Sequence, residues 1–201
     1  PRAGASALAG MARREALRSG VFWILSLGFA ATAVACAALI VHMVPMLRDA
    51  GLAAAAAAKV ASLVGIGVLI GRLGIGWLID RLFAPYVAAT IFVVAAGGAA
   101  LLLAAGPDVA PVAAFLTGFA LGAEVDLLGF LASRYFGLRH FGFLYATIYA
   151  MFWIASSLGP AVAGRLYDHY GNYRPTLWLV VAMMLVGAVA ALSLPRYETA
   201  R

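Results

Sequence analysis

The chain has 201 residues, 65% of them apolar and only 11% charged, with a mean hydropathy of +1.01. A globular domain in water is nearer half apolar and about a quarter charged, so a water-exposed exterior is excluded. The net charge of +6 does not point to nucleic acid, because the basic residues are shared among the segments as the positive-inside rule shares them.

Six apolar runs are long enough to cross a bilayer, over about 21–47, 53–79, 86–105, 109–132, 141–164 and 175–194. Each meets or approaches the roughly 20 residues that carry a helix across ~30 Å of hydrocarbon. The connections are short and rich in Gly, Pro, Asp and Arg. The prediction is an all-α integral membrane protein, one six-transmembrane-helix bundle over 21–194. A basic cytoplasmic linker over 1–20 precedes it and a cytoplasmic tail over 195–201 follows.

The first run is too long, and too closely followed by others, for a cleaved signal peptide. The chain opens on Pro1 rather than Met, as expected of a piece of something longer. Cys36 is the single cysteine and sits in the first span, so packing rather than a disulfide is its expected role. His42, about a turn inside the outer end of that span, is a candidate proton shuttle, a satisfied structural donor being the other reading. Asp49 before the second span and Asp108 before the fourth suit helix starts, where a carboxylate meets free N–H groups.

The second span holds the densest signal. It ends in GRLGIGWLIDR, from Gly71 to Arg81, with Gly65 and Gly67 just upstream. Gly67-x-x-x-Gly71 permits close approach of a neighbouring helix. Arg72 lies inside the apolar run, where an arginine costs at least ~2.5–3.5 kcal/mol and requires a compensating anion. Its planar fork suits a carboxylate, either on a substrate or on a permanent partner in the fourth span.

The third span is uncharged between Pro85 and Asp108, whereas the fourth contains two carboxylates, Glu124 and Asp126. Asp126 precedes Arg134 by eight residues, as Arg72 precedes Asp80 by eight. Each interval spans ~12 Å of helix, so Arg72 and Asp126 lie at similar depth. Residues two apart point nearly opposite ways, so only one carboxylate faces Arg72 directly. A carboxylate without a partner in a low dielectric takes up a proton readily, which makes one of the pair a candidate proton carrier. A structural buried pair is the alternative.

The fifth span carries Tyr145, Tyr149, Trp153 and Ser156 at helical spacing, either a cavity wall that touches substrate or ordinary packing. Gly159-Pro160 is expected to break the fifth helix near its outer third, with a bend there.

Gly76-x-x-x-Asp80-Arg81 closes the second span and Gly164-x-x-x-Asp168-His169 the fifth, 88 residues later. Three spans separate the two turns, so they fall on opposite faces of the membrane, the signature of a 3+3 inverted repeat. Asp80, at the carboxyl end of its helix, is expected to seek Arg134, Arg139 or the amino end of the fifth span. Asp168 is expected to do the same on the other face, with Arg48 or the amino end of the second span. Such contacts form a gate that exists only when that face is closed, or else are solvated loop pairs worth little. With the termini inside, the cytoplasmic side receives Arg2, Arg13, Arg14, Arg18, Arg81, Arg134, Arg139, Arg196 and Arg201. The other side receives Arg48, Lys59, Arg165 and Arg174. This places both termini in the cytoplasm of a cell whose inner (plasma) membrane the chain crosses repeatedly.

Four stretches carry a resemblance: VHMVPMLRDAGL from Val41, GRLGIGWLIDR from Gly71, GAEVDLLGFLASRYFGLRHFGFLY from Gly122 and GPAVAGRLYDHYGNYRPTLW from Gly159. Through them the chain resembles the carboxyl-terminal half of a major facilitator superfamily transporter, nearest to the bacterial branch related to monocarboxylate and oxalate–formate transporters. The resemblance implies a twelve-helix protein whose amino-terminal six-helix half is missing here. It also implies a central cavity open alternately to each side, lined by spans one, two, four and five, with spans three and six facing lipid. Arg72 matches the place of an arginine that contacts the substrate carboxylate in that family. Val68 stands where some monocarboxylate transporters carry an aspartate one turn before it. The lysine that oxalate-type relatives carry in the fifth span has no counterpart before Arg165.

The expected function is secondary active transport of a small organic anion, a monocarboxylate, by alternating access, with or without coupling to protons. Substrate contacts are expected from Arg72, Tyr145, Tyr149 and Trp153, proton coupling from Glu124, Asp126 and His42, and gating from Asp80, Arg81, Arg134 and Asp168. No cofactor or metal is expected. A channel, a scaffold subunit or a carrier of another small solute are the alternatives. A membrane enzyme is disfavoured by the absence of HExxH or GxSxG and of a histidine beside the acidic pair.

Overall fold

The structure, a computed structural model, describes residues 9–197; Arg2 and Arg201, counted above with the cytoplasmic charges, lie outside them. A short helix α1 (Arg13–Arg18) leads into α2 (Gly20–Asp49), α3 (Ala54–Ile79), α4 (Ala84–Ala105), α5 (Ala110–Phe136), α6 (Phe141–Tyr170) and α7 (Arg174–Leu192). Five continuous stretches are long and apolar enough to cross a membrane; the longest, Ala84–Phe136, is α4 and α5 joined by a 3-10 turn at Gly106–Val109.

Short turns make successive helices antiparallel. One end of the bundle therefore collects residues 9–19, 80–83, 137–140 and 193–197, and the other the turns between α2 and α3, α4 and α5, and α6 and α7. α3 lies along α5, α6 along α2, α4 along α7, α2 along α7 and α4 along α5.

The tightest seam is α3 on α5. A Cβ on Gly118 or Gly122 would collide with the carbonyls of Val64 or Val68, and one on Gly67 or Gly71 with those of Phe115 or Phe119. Four glycines thus let two backbones touch, the contact on which helices in lipid rely where the hydrophobic effect gives no help. Gly159 serves α6 likewise against Val34 and Ala38 of α2.

Two local expectations are corrected. α6 runs without interruption through Gly159-Pro160 to Tyr170. Asp49 is the last residue of α2, and α3 is preceded by Ala53 with no side-chain cap. The core runs between α2, α4, α5 and α7, around Phe22, Phe29, Leu39, Phe92, Leu127 and Met184. By contrast α3 and α6 bury few side chains, and Leu69, Leu73, Trp77, Trp153, Ile154 and Leu158 stand exposed on them.

Candidate functional site

About two-thirds of the way along α3, Arg72 is exposed and opens into a cavity of about 330 Å³. Its wall includes Ala37 and Val41 of α2, Val125 of α5 and Tyr149, Trp153 and Ser156 of α6. None of the lining side chains is an anion. The permanent carboxylate partner from α5 is therefore not in this cavity; Leu121 and Val125 are the residues that α5 presents there.

The aromatic wall is built by helical spacing. Phe141, Tyr145, Tyr149 and Phe152 form a stacked column on α6, with successive centroids 5.4, 5.4 and 6.1 Å apart. Trp153 meets Tyr149 edge-on at 6.0 Å and is exposed. Tyr149 and Trp153 share the Arg72 cavity; Tyr145, a turn away, lies instead against Gly129 of α5.

The two carboxylates are separated. Asp126 is exposed, whereas Glu124 is fully buried between α5 and α2. The Cys36 thiol donates to Glu124 Oε1 at 3.7 Å, and Oε2 has no hydrogen-bond partner among the described residues. Their neighbours in sequence, Ala37 and Val125, line the Arg72 cavity, so the pair sits one layer behind its wall. Cys36 thus does more than fill space. This contact escaped the sequence reading, although its 88-residue interval equals that of the two matched turns.

His42 bridges three elements. Its Nε2 lies 3.1 Å from the carbonyl of Pro160 in α6 and its Nδ1 3.2 Å from the hydroxyl of Tyr173 before α7. With Nε2 donating to the carbonyl, Nδ1 accepts from the tyrosine, and the neutral ring is satisfied.

Of the gating candidates, Asp80, Arg81 and Arg134 line one recess at the end of the bundle that carries both termini. Arg81 lies over the Trp77 ring at 4.2 Å and Arg134 over Phe130 at 4.9 Å. Asp168 is exposed near the opposite end, in the last turns of α6. The described tail joins the recess: Tyr197 accepts a hydrogen bond from the Ala84 N–H at 3.2 Å, and Tyr135 donates to the Pro195 carbonyl at 2.6 Å.

A largely apolar, aromatic cavity holding one arginine opens on the least buried face of a bundle whose helices are long and apolar enough to cross a membrane, the architecture of a multi-pass membrane protein. Two crystal structures of a fucose:proton symporter, one of them from E. coli, match with TM-scores of 0.77 and 0.76 at 18% and 19% identity. The match covers 90% of this chain and 45% of each symporter chain. Among curated proteins, monocarboxylate transporter 12 of Homo sapiens is 25% identical over 174 residues, 84% of this chain and 34% of its own length. Its Rattus norvegicus counterpart matches equally, over 36% of its length. No family model matches. The chain thus spans between a third and a half of the proteins it matches. It resembles the carboxyl-terminal half of a major facilitator superfamily transporter, of the monocarboxylate kind.

Proposed function

We propose that the chain is the carboxyl-terminal half of a secondary active transporter that moves a small organic anion, a monocarboxylate first of all, by alternating access. The observation that carries this is Arg72, a guanidinium within an apolar helix, in a cavity with no anion among its described lining residues. Such a cation costs at least ~2.5–3.5 kcal/mol in hydrocarbon. A carboxylate substrate offsets that with paired charge-assisted hydrogen bonds. Tyr149 and Trp153 supply a flat, amphipathic wall for the organic part. The same wall suits a neutral sugar such as the fucose of the structural relatives; Arg72 is what favours the anion.

Proton coupling is assigned to the acidic residues of α5, above all Glu124 with its unpartnered oxygen, with Asp126 and His42 as further candidates. Asp80, Arg81 and Arg134 at one end and Asp168 at the other are the proposed gates. The partner is a second six-helix half that covers the exposed faces of α3 and α6 and closes the cavity.

A six-span, 3+3 inverted repeat is supported by the packing. Exchanging α2 with α5, α3 with α6 and α4 with α7 turns the α3–α5 seam into α6–α2 and the α2–α7 seam into α5–α4, all of which exist. Residues related by a two-fold touch only near its axis, and Cys36 and Glu124, one repeat interval apart, touch at mid-bundle. The arginines at 13, 14, 18, 81, 134, 139 and 196, all at the end with the termini, support cytoplasmic termini in the inner (plasma) membrane.

The test is uptake of radiolabelled small carboxylates into proteoliposomes holding the full-length protein, with and without an inward proton gradient. Wild type should give saturable, gradient-stimulated uptake and counterflow, which separate a carrier from a channel. Arg72→Ala, shown to stay folded, should lower uptake at least about thirtyfold, the low end for removing one partner of a buried charge pair. Undiminished uptake would return Arg72 to a structural role.

A further inference from the structure

The corner between α3 and α4 carries two recesses that run into each other. The first, about 520 Å³, is the one at the terminus-bearing end of the bundle. Among the described residues, Arg81, Arg134, Arg196 and a single carboxylate, Asp80, line it. Two of these guanidinium groups are held by aromatic faces, Trp77 under Arg81 and Phe130 under Arg134. A guanidinium stacked in this way keeps in-plane N–H donors for an anion, although Arg81 spends one on the Trp77 carbonyl at 3.3 Å. The third arginine is brought in by the tail, which Tyr197 pins to the first residue of α4.

The second recess, about 220 Å³, shares Leu82, Phe83 and Tyr86 with the first. From there it follows α3 and α4 past Leu78 and Val87 to Thr90 and Ile91. The eight residues of helix from Ala84 to Ile91 carry this groove ~10 Å into the hydrocarbon. Its wall is almost wholly apolar.

A basic recess of headgroup size that opens into a membrane-directed apolar groove matches the two ends of one amphiphile. We propose that this corner binds an anionic glycerophospholipid of the adjoining leaflet. Its phosphate lies among Arg81, Arg134 and Arg196, and the first part of one acyl chain lies against Leu78, Val87 and Ile91. Asp80 repels a second anion and accepts hydrogen bonds from headgroup hydroxyls. Basic pockets between membrane helices take phosphate headgroups in this way, at about 1 kcal/mol per arginine near the surface. Bound lipid would also fasten the α3–α4 turn to the end of α5 and to the tail, elements otherwise joined here by Tyr197 and Tyr135.

Native mass spectrometry of the delipidated full-length protein tests this, with phosphatidylglycerol, phosphatidylcholine and inorganic phosphate offered in turn. Phosphatidylglycerol should be retained over phosphatidylcholine, and each Arg→Gln change at 81, 134 or 196 should weaken its retention about fivefold. Thr90→Trp, on the exposed wall of the groove, fills the acyl site without touching an arginine and should displace the lipid as well. Equal retention of the two lipids overturns the proposal, as does loss of retention in Thr90→Trp alone. Binding of inorganic phosphate that Thr90→Trp leaves unchanged, with no lipid preference, makes the recess a plain anion site and overturns it too.

Discussion

Among the described residues Glu124 forms no ion pair that would justify its place. It is fully buried, its Oε1 receives the Cys36 thiol, and its Oε2 has no hydrogen-bond partner among the described residues. A buried polar atom without a partner costs about 1–3 kcal/mol, more if charged. A residue kept at that cost in the middle of a bundle is a functional candidate. In the coupled carrier proposed here, Glu124→Gln keeps the acceptor for Cys36 but cannot exchange a proton. Gradient-stimulated uptake should fall to the level without a gradient, while counterflow at equal pH persists. Stimulation that survives the change would make Glu124 structural and move the coupling role to Asp126. The Arg72 cavity was half legible in the sequence. A lone arginine in an apolar run and an aromatic stripe at helical spacing each announce themselves, and Arg72, Tyr149 and Trp153 do meet. The thiol–carboxylate contact was not legible, because neither cysteine nor a buried glutamate carries a spacing rule and their partnership is set by how α2 meets α5.

At the scale of elements, the glycines divide into two kinds that look alike in sequence. Gly118 faces the carbonyl of Val64 so closely that a methyl group has no room, whereas Gly97 of α4 has nothing within 4 Å of where its Cβ would stand. A carbonyl cannot swing aside as a side chain can, so Gly118→Ala must push α3 away from α5. Overpacking of this sort costs about 1–3 kcal/mol. Melting of the detergent-purified protein should show a clear loss for Gly118→Ala and none for Gly97→Ala; equal melting points would mean that the seam is loose. Hydropathy marks where chain crosses lipid, not where backbone hydrogen bonding stops. That is why α6 continues to Tyr170 through the polar turn Arg165–Tyr170, beyond the apolar run that ends at 164. The strap in which Ala9–Met11 pairs with the α5–α6 turn was equally invisible. Met11 N–H donates to Phe136 at 2.9 Å and Leu138 N–H to Ala9 at 3.0 Å, backbone contacts that no side-chain pattern encodes. Gly137 permits it, since its φ of +70° and the nearness of Gly10 leave no space for a Cβ.

For the molecule as a whole, the open question is which apolar face meets lipid and which meets protein. Hydropathy does not separate them: Leu73 on α3 and Ile154 on α6 are as exposed as Trp178 and Val189 on α7. The polar groups set among them do. Arg72, Tyr149 and Ser156 interrupt the face shared by α3 and α6, whereas α4 has no charged residue and α7 none after Arg174. A face carrying an arginine inside an apolar run is unsuited to hydrocarbon, so water and the proposed partner half are expected on the α3–α6 side and lipid on the α4–α7 side. Single cysteines in a Cys36→Ser background of the full-length protein make this measurable. Leu73→Cys and Ile154→Cys should react with a water-soluble thiol reagent, and added substrate should slow them, because the reagent enters through the same cavity. Trp178→Cys and Val189→Cys should stay unlabelled, since a thiol in hydrocarbon neither ionises nor meets the reagent. Labelling of the α7 positions as fast as those on α3 and α6 would remove the distinction between the faces, and with it the argument that a second half closes over Arg72.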